Sequence, residues 1–113
     1  MANIVSVLAR VFVADLSAAI PLYEELAQAP AERFGFRDVE LARVGPFLLL
    51  AGNTAAYRNR TATIQVKSLD PVLAALSRAG GEVVEGPGAA PNGARLIVRH
   101  PDGSVFEYIE TGG

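Results

Sequence analysis

The chain has 113 residues, half of them hydrophobic, with 10 Lys and Arg against 12 Asp and Glu and a formal net charge of −2. That length fits one domain with an ordinary apolar core, and charges spread along the chain offer no basic stripe to a phosphate backbone, which excludes nucleic acid as a partner. There is no cysteine, which removes disulfides, thiolate nucleophiles, iron–sulfur clusters and cysteine-bound zinc.

From the start, MANIVSVLARVFVADLS lacks a basic leader and a small-residue cleavage site, and Arg10 and Asp15 interrupt its apolar run, so it reads as a strand. Ala9, Val11 and Val13 share one face and Leu8, Arg10 and Phe12 the other. LSAAIPLYEELA follows as a helix capped by Asp15 or Ser17, with Leu16, Ile20, Tyr23 and Ala27 as its buried stripe and Pro21 about one turn in, where proline is tolerated. RFGF is a short strand, and VELARVGPFLLLAG gives two apolar runs joined at Gly45-Pro46. Even PFLLLAG stops at Gly52-Asn53, far short of the roughly 20 apolar residues a membrane span needs, so the expectation is a cytoplasmic protein without a membrane partner.

After a polar linker the order repeats. TATIQVKSLD is a strand with Ile64 and Val66 on one face and Thr63, Gln65 and Lys67 on the other; PVLAALSRAGG is a helix with Asp70 as N-cap, Pro71 at its first helical position and Gly80-Gly81 as its stop. Val72, Leu73, Leu76 and Ala79 form its apolar face. EVVEGP reads as a short strand, and GARLIVRHPDGSVFEYIE as two runs joined at Pro101-Asp102-Gly103, the last placing Phe106 and Tyr108 opposite Val105, Glu107 and Ile109. Landmarks in the two halves are offset by about 55 to 57 residues. The fold class expected is α+β: two tandem βαβββ repeats forming curved mixed sheet around a cavity, with the helices on the outer face. The boundaries expected are a single domain over 1–113, with repeat one at about 4–52, a linker at 53–60 and repeat two at about 61–110. On the face away from the helices, Arg10, Thr63, Gln65, Lys67 and Glu107 make a polar cluster.

Three segments resemble the vicinal oxygen chelate superfamily, which includes glyoxalase I, bleomycin and fosfomycin resistance proteins, methylmalonyl-CoA epimerase and extradiol dioxygenases. They are VFVADLSAAIPLYEEL, its echo TIQVKSLDPVLAALSRAGGEVVEGP, and RHPDGSVFEYIE, which is similar to the superfamily's Asp-Pro-Asp-Gly turn followed by a strand bearing Glu. The resemblance implies a homodimer, and in metal-dependent members two ligands per repeat facing the cavity. Carried onto this chain, those positions are Leu8, Leu49 or Leu50, Thr63 and Glu107. Leucines cannot ligate a cation, and a divalent site needs several converging N or O donors. No metal and no cofactor is therefore expected.

The leading reading is a metal-free protein that binds a small organic molecule, with Leu8, Arg10, Phe12, Leu50, Thr63, Gln65, Lys67 and Glu107 against the ligand. Rival readings are a metal-independent lyase, isomerase or epimerase with Glu107 as catalytic base, a metal-dependent glyoxalase-like enzyme, and a dimeric interaction module whose cavity is filled by its own side chains. Glu107 can equally be held in a salt bridge with Arg10 or Lys67. Phe34, Phe36, Phe47 and Tyr57 are candidates for apolar pocket walls or for core. His100, the one histidine, stands at the turn and reads as a backbone-bonding surface residue rather than a catalytic base. EGPGAAPNGAR reads as a loop between strands, without phosphate-binding glycine spacing and suited to act as a lid.

Overall fold

A computed structural model describes residues 2–90 and 93–111. Leu8–Asn59 make one compact unit; the other is built from the residues up to Val7 together with those from Arg60 onward. Strand β1 (Ile4–Phe12) runs through both.

The first unit holds the second half of β1, helix α1 (Leu16–Ala27) and strands β2 (Glu32–Phe36), β3 (Val39–Val44) and β4 (Phe47–Gly52). Its strands are ordered β2-β3-β4-β1, antiparallel except for the parallel β1·β4 pair. The α1 cap is Asp15, whose carboxylate accepts the Ala18 N–H at 3.2 Å. One stripe of the helix then buries Leu16 and Ile20 against Ala42, Val44, Leu49 and Ala51, with Val11, Val13, Tyr23, Ala27 and Phe47 packed around them. Tyr23 and Phe47 meet edge to face at 5.0 Å between ring centres. Gly45 closes the β3–β4 hairpin at φ +57°, and a side chain there would lie 2.8 Å from Ala27 Cβ, so the turn that joins the strands also seats the end of the helix.

The second unit repeats the order: β5 (Ala62–Val66), α2 (Asp70–Ala79), β6 (Glu82–Ala90), β7 (Gly93–Arg99) and β8 (Val105–Glu110), with β5 parallel to β8 and both hairpin pairs antiparallel. Strand order here is β5-β8-β7-β6, and the start of β1 lies beside β5, tied by Asn3 to Ser68 and by the Lys67 N–H to the Asn3 carbonyl. Leu76 packs on Ile64, Val66, Leu69, Leu96, Val98 and Tyr108, with Val72, Leu73 and Phe106 at the margin. The mixed α+β class and the twofold βαβββ order are therefore those read from the sequence.

Two local readings are corrected. Asp70 does not cap α2: it is the first helical residue, and the cap position is Leu69. The orphan amides there are already served, the Leu69 N–H by the Glu110 carboxylate at 2.9 Å and the Asp70 N–H by the Ser68 hydroxyl at 3.2 Å. The segment 85–90, read as a loop and lid, is strand: β6 continues along β7 through the pairs Gly88↔Arg95, Ala89↔Ala94 and Ala90↔Gly93. It bends on the way, with register shifts on both sides of Glu85 and Gly86 at φ +88°. Pro91 and Asn92 of that reading lie outside the described residues.

Candidate functional site

Because strand side chains alternate, the sheet of each unit has a second face turned away from its helix. In the first unit that face is largely apolar, with Arg10 of β1 as a half-buried charge on it. Leu8, Val39, Leu41, Leu48 and Leu50 are buried together with Phe12, Phe34, Phe36 and Tyr57 beside them. Arginines cover two of the rings: Arg58 lies 5.0 Å over Phe12 and Arg37 4.8 Å over Phe36. Of the four aromatics considered as pocket walls, Phe47 is on the opposite side, against α1. Leu50, rather than Leu49, occupies the helix-distal face, and Leu49 is fully buried under α1. Leu8 is 2% exposed, while Arg10 is half-buried on the same strand.

In the second unit the corresponding face is polar and equally dry. The ladders set Thr63 beside Glu107 and Glu107 beside Ile97, with Gln65 beside Ile109 and Ile109 beside Arg95. Thr63, Gln65, Arg95 and Glu107 are buried, as is Arg60. The Thr63 hydroxyl donates to Glu107 Oε1 at 2.9 Å, and Arg95 Nε donates to Glu107 Oε2 at 3.0 Å. Arg95 Nη1 also donates to Glu85 Oε1 at 2.7 Å, and Arg60 Nη2 lies 3.3 Å from Glu85 Oε2. Gln65 accepts a hydrogen bond from the Ser6 hydroxyl of β1. The result is a chain of charges, Arg60, Glu85, Arg95, Glu107, ending on Thr63. Burial by itself would lower the Arg95 pKa, but hydrogen bonds and attraction from Glu107 and Glu85 outweigh it and raise the guanidinium above its ordinary value.

Of the residues singled out in the sequence, the structure joins Thr63 and Glu107 directly and places Gln65 on the same face. Lys67 lies beyond the end of β5 with its side chain exposed. Arg95, Glu85 and Arg60 are additions that the sequence reading missed. The signal for Arg95 was available: in GARLIVR, Leu96 and Val98 alternate with Arg95 and Ile97, and the first pair is core. Glu85 had no such signal, because the register shifts around it break the alternation.

His100 makes the turn's backbone bonds as expected, its amide donating to the Ser104 carbonyl and its carbonyl accepting from the Gly103 amide, but it is half-buried rather than a surface residue. Its ring stacks on Tyr108 and meets Phe106 at a tilt, and Nε2 is 2.9 Å from the Tyr108 hydroxyl, so it closes one end of the α2-side core.

A metal of the kind the superfamily resemblance implies does not fit here. Among the described residues no group of three His, Asp or Glu side chains converges, and at Glu107 the guanidinium of Arg95 takes the place a cation would need. No helix among the described residues is long and apolar enough to cross a membrane.

Among solved structures, an uncharacterised protein from Methanosarcina mazei is 42% identical, with 98% of this chain and 95% of that one covered and a TM-score of 0.90. The chain belongs to the family of this Methanosarcina mazei protein. Two further neighbours of that family's fold are methylmalonyl-CoA epimerases. The Mycobacterium tuberculosis enzyme is 18% identical, with coverage of 100% and 92% and a TM-score of 0.71. A Streptomyces coelicolor variant in complex with 2-nitronate-propionyl-CoA is 14% identical, with coverage of 100% and 99% and a TM-score of 0.71. These identities show a shared fold, that of the glyoxalase-like epimerases. No family model matches the chain, and no curated protein does.

Proposed function

We propose that this protein, as a member of the vicinal oxygen chelate superfamily, binds a small organic molecule without a metal, on the polar face of its second unit. One observation carries the reading: Arg95 and Glu107, 5% and 8% exposed, are kept as an ion pair on a face where the first unit places leucine and phenylalanine. A pair of buried charges is a poor way to stabilise a sheet, since well-packed hydrophobic residues of similar volume do as well or better. Its use lies in presenting oriented donors and acceptors in a dry place.

Catalysis of the epimerase type is the second reading, favoured by the fold shared with the methylmalonyl-CoA epimerases. It needs a base that can leave its partners and reach a substrate proton. Glu107 accepts from Thr63 on one oxygen and from Arg95 on the other, so abstraction through it begins by breaking a buried ion pair. That weighs for binding over turnover.

The test has two arms. Chelator-treated protein melted with Mn²⁺, Fe²⁺, Co²⁺, Ni²⁺ or Zn²⁺ should show no stabilisation, whereas a metal at 100 times its dissociation constant would contribute about 2.7 kcal/mol. A protein-observed NMR fragment screen on labelled protein should return binders that perturb the amides of β5, β7 and β8. A shift with one metal that vanishes in Glu107→Gln would overturn the metal-free reading. Deuterium uptake into methylmalonyl-CoA in D₂O, lost in the same variant, would replace binding by epimerisation.

A further inference from the structure

The four charges of the network are not equally held. Glu107 sits in β8, hydrogen-bonded to a strand on each side, and its carboxylate is fixed by Thr63 and Arg95 with its side chain only 10% exposed. Glu85 is on the edge strand β6, between two register shifts, and its side chain is 38% exposed. Yet this half-exposed carboxylate bridges two guanidiniums whose side chains are 6% and 7% exposed, Arg95 at 2.7 Å and Arg60 at 3.3 Å. Arginine forks are built for bidentate capture of planar anions, and here two of them converge on one carboxylate that reaches water from within an otherwise dry chain.

We infer that Glu85 holds the place of a ligand carboxylate, and that a small carboxylate-bearing molecule binds Arg60 and Arg95 by displacing it into water. The inference rests on the reading of this face as a small-molecule site and names the class of molecule. Charge conservation shapes the exchange. Arg95 keeps Glu107 throughout, and Glu85 is the carboxylate that both guanidiniums share. Taking a carboxylate away from buried guanidiniums is costly, so Glu85 does not open an empty site; one carboxylate replaces another. Glu85 is the member that can go, because its side chain already reaches solvent and its strand is tethered on one side only.

The experiment follows the arginine Nε–H resonances of the full chain during titration with sodium propionate, with propionamide as neutral isostere, at constant ionic strength. Saturable shifts of the Arg95 and Arg60 signals with propionate and none with propionamide are expected. In Glu85→Gln the internal competitor loses its charge, and propionate should bind about tenfold tighter, the worth of one charged hydrogen bond; Arg60→Gln should weaken binding by a similar factor. Equal affinity of wild type and Glu85→Gln, or propionamide binding as well as propionate, overturns the inference. Should Glu85→Gln not fold, wild type and Glu85→Asp, which retracts the carboxylate by one methylene, decide by the same criterion. Fragments that bind the β5, β7 and β8 face while propionate leaves both arginines unmoved sink this inference alone; failure of fragments and propionate together sinks the binding reading with it.

Discussion

The helix-facing sides of the two units are built alike and their far sides are not. Under α1 lie Leu49 and Ala51 of β4 and Val44 of β3; under α2 lie Leu96 and Val98 of β7, Val66 of β5 and Tyr108 of β8, apolar in both units though not residue for residue. On the far sides, Leu8, Leu48 and Leu50 in the first unit contrast with Thr63, Glu107 and Arg95 in the second. The helix-facing side is constrained by the need to cover the helix stripe in either copy of the repeat, and any change there leaves a void or a clash. The far side answers to what it meets, and two copies can diverge on it without losing the fold.

The sharpest way to break the comparison is to remove one charge. Arg95→Ala leaves Glu107 and Glu85 short of their shared partner, and should cost about 3–5 kcal/mol in denaturant unfolding. Converting the pair to the first unit's chemistry, Arg95→Met with Glu107→Leu, should recover nearly all of that loss. If the double variant stays as unstable as Arg95→Ala, the ion pair is structural, and the contrast between the faces has no functional meaning.

Truncating the leucines comes next. Leu49→Ala and Leu96→Ala, each at full burial under a helix, should cost about 2–5 kcal/mol. Similar losses for both would support equal constraint on the helix-facing sides; a twofold disparity would refute it.

A smaller effect concerns Tyr108, whose burial raises its pKa above the ordinary phenol value. Tyr108→Phe forfeits the His100 contact, about 1 kcal/mol at neutral pH. A raised folded-state pKa contributes stability present below the unfolded value, about 10, and lost as pH rises through the folded value. Wild type should therefore lose stability in alkaline melts while the phenylalanine variant does not, and the gap between them should close.

The smallest contrast is between the helix starts. Asp15→Ala should cost about 1 kcal/mol because its cap bond is made, whereas Asp70→Ala, which makes none, should cost only a few tenths through the helix dipole. Equal costs in thermal melts would mean that the two aspartates play one role after all.

Face assignment was legible wherever a strand is regular. Val11 and Val13 against Leu8 and Phe12, Ile64 and Val66 against Thr63 and Gln65, and Phe106 and Tyr108 against Glu107 all follow from a period of two, and the structure puts each set on the side expected. The ionic network was only half legible. Thr63 and Glu107 could be placed on one face, but their contact depends on the β5·β8 register. Arg95 shared the readable alternation and was overlooked. Glu85 was unreadable in kind, since a bulged edge strand rich in glycine and proline looks like a loop to any local rule.

The two-helix, eight-strand order, the duplication, the turns at Gly45 and Gly103, and the side chains that β1, β5 and β8 send to the helices were all written in the sequence. These are local matters, settled by periodicity and by backbone preferences over a few residues. That Glu107 is held by Arg95, and that Arg60 and Arg95 meet on Glu85, came with the folded sheet. Those contacts join residues 10 to 25 apart along the chain, across strand registers and a bulge, and register is a property of the paired strands together, which no single strand's sequence contains.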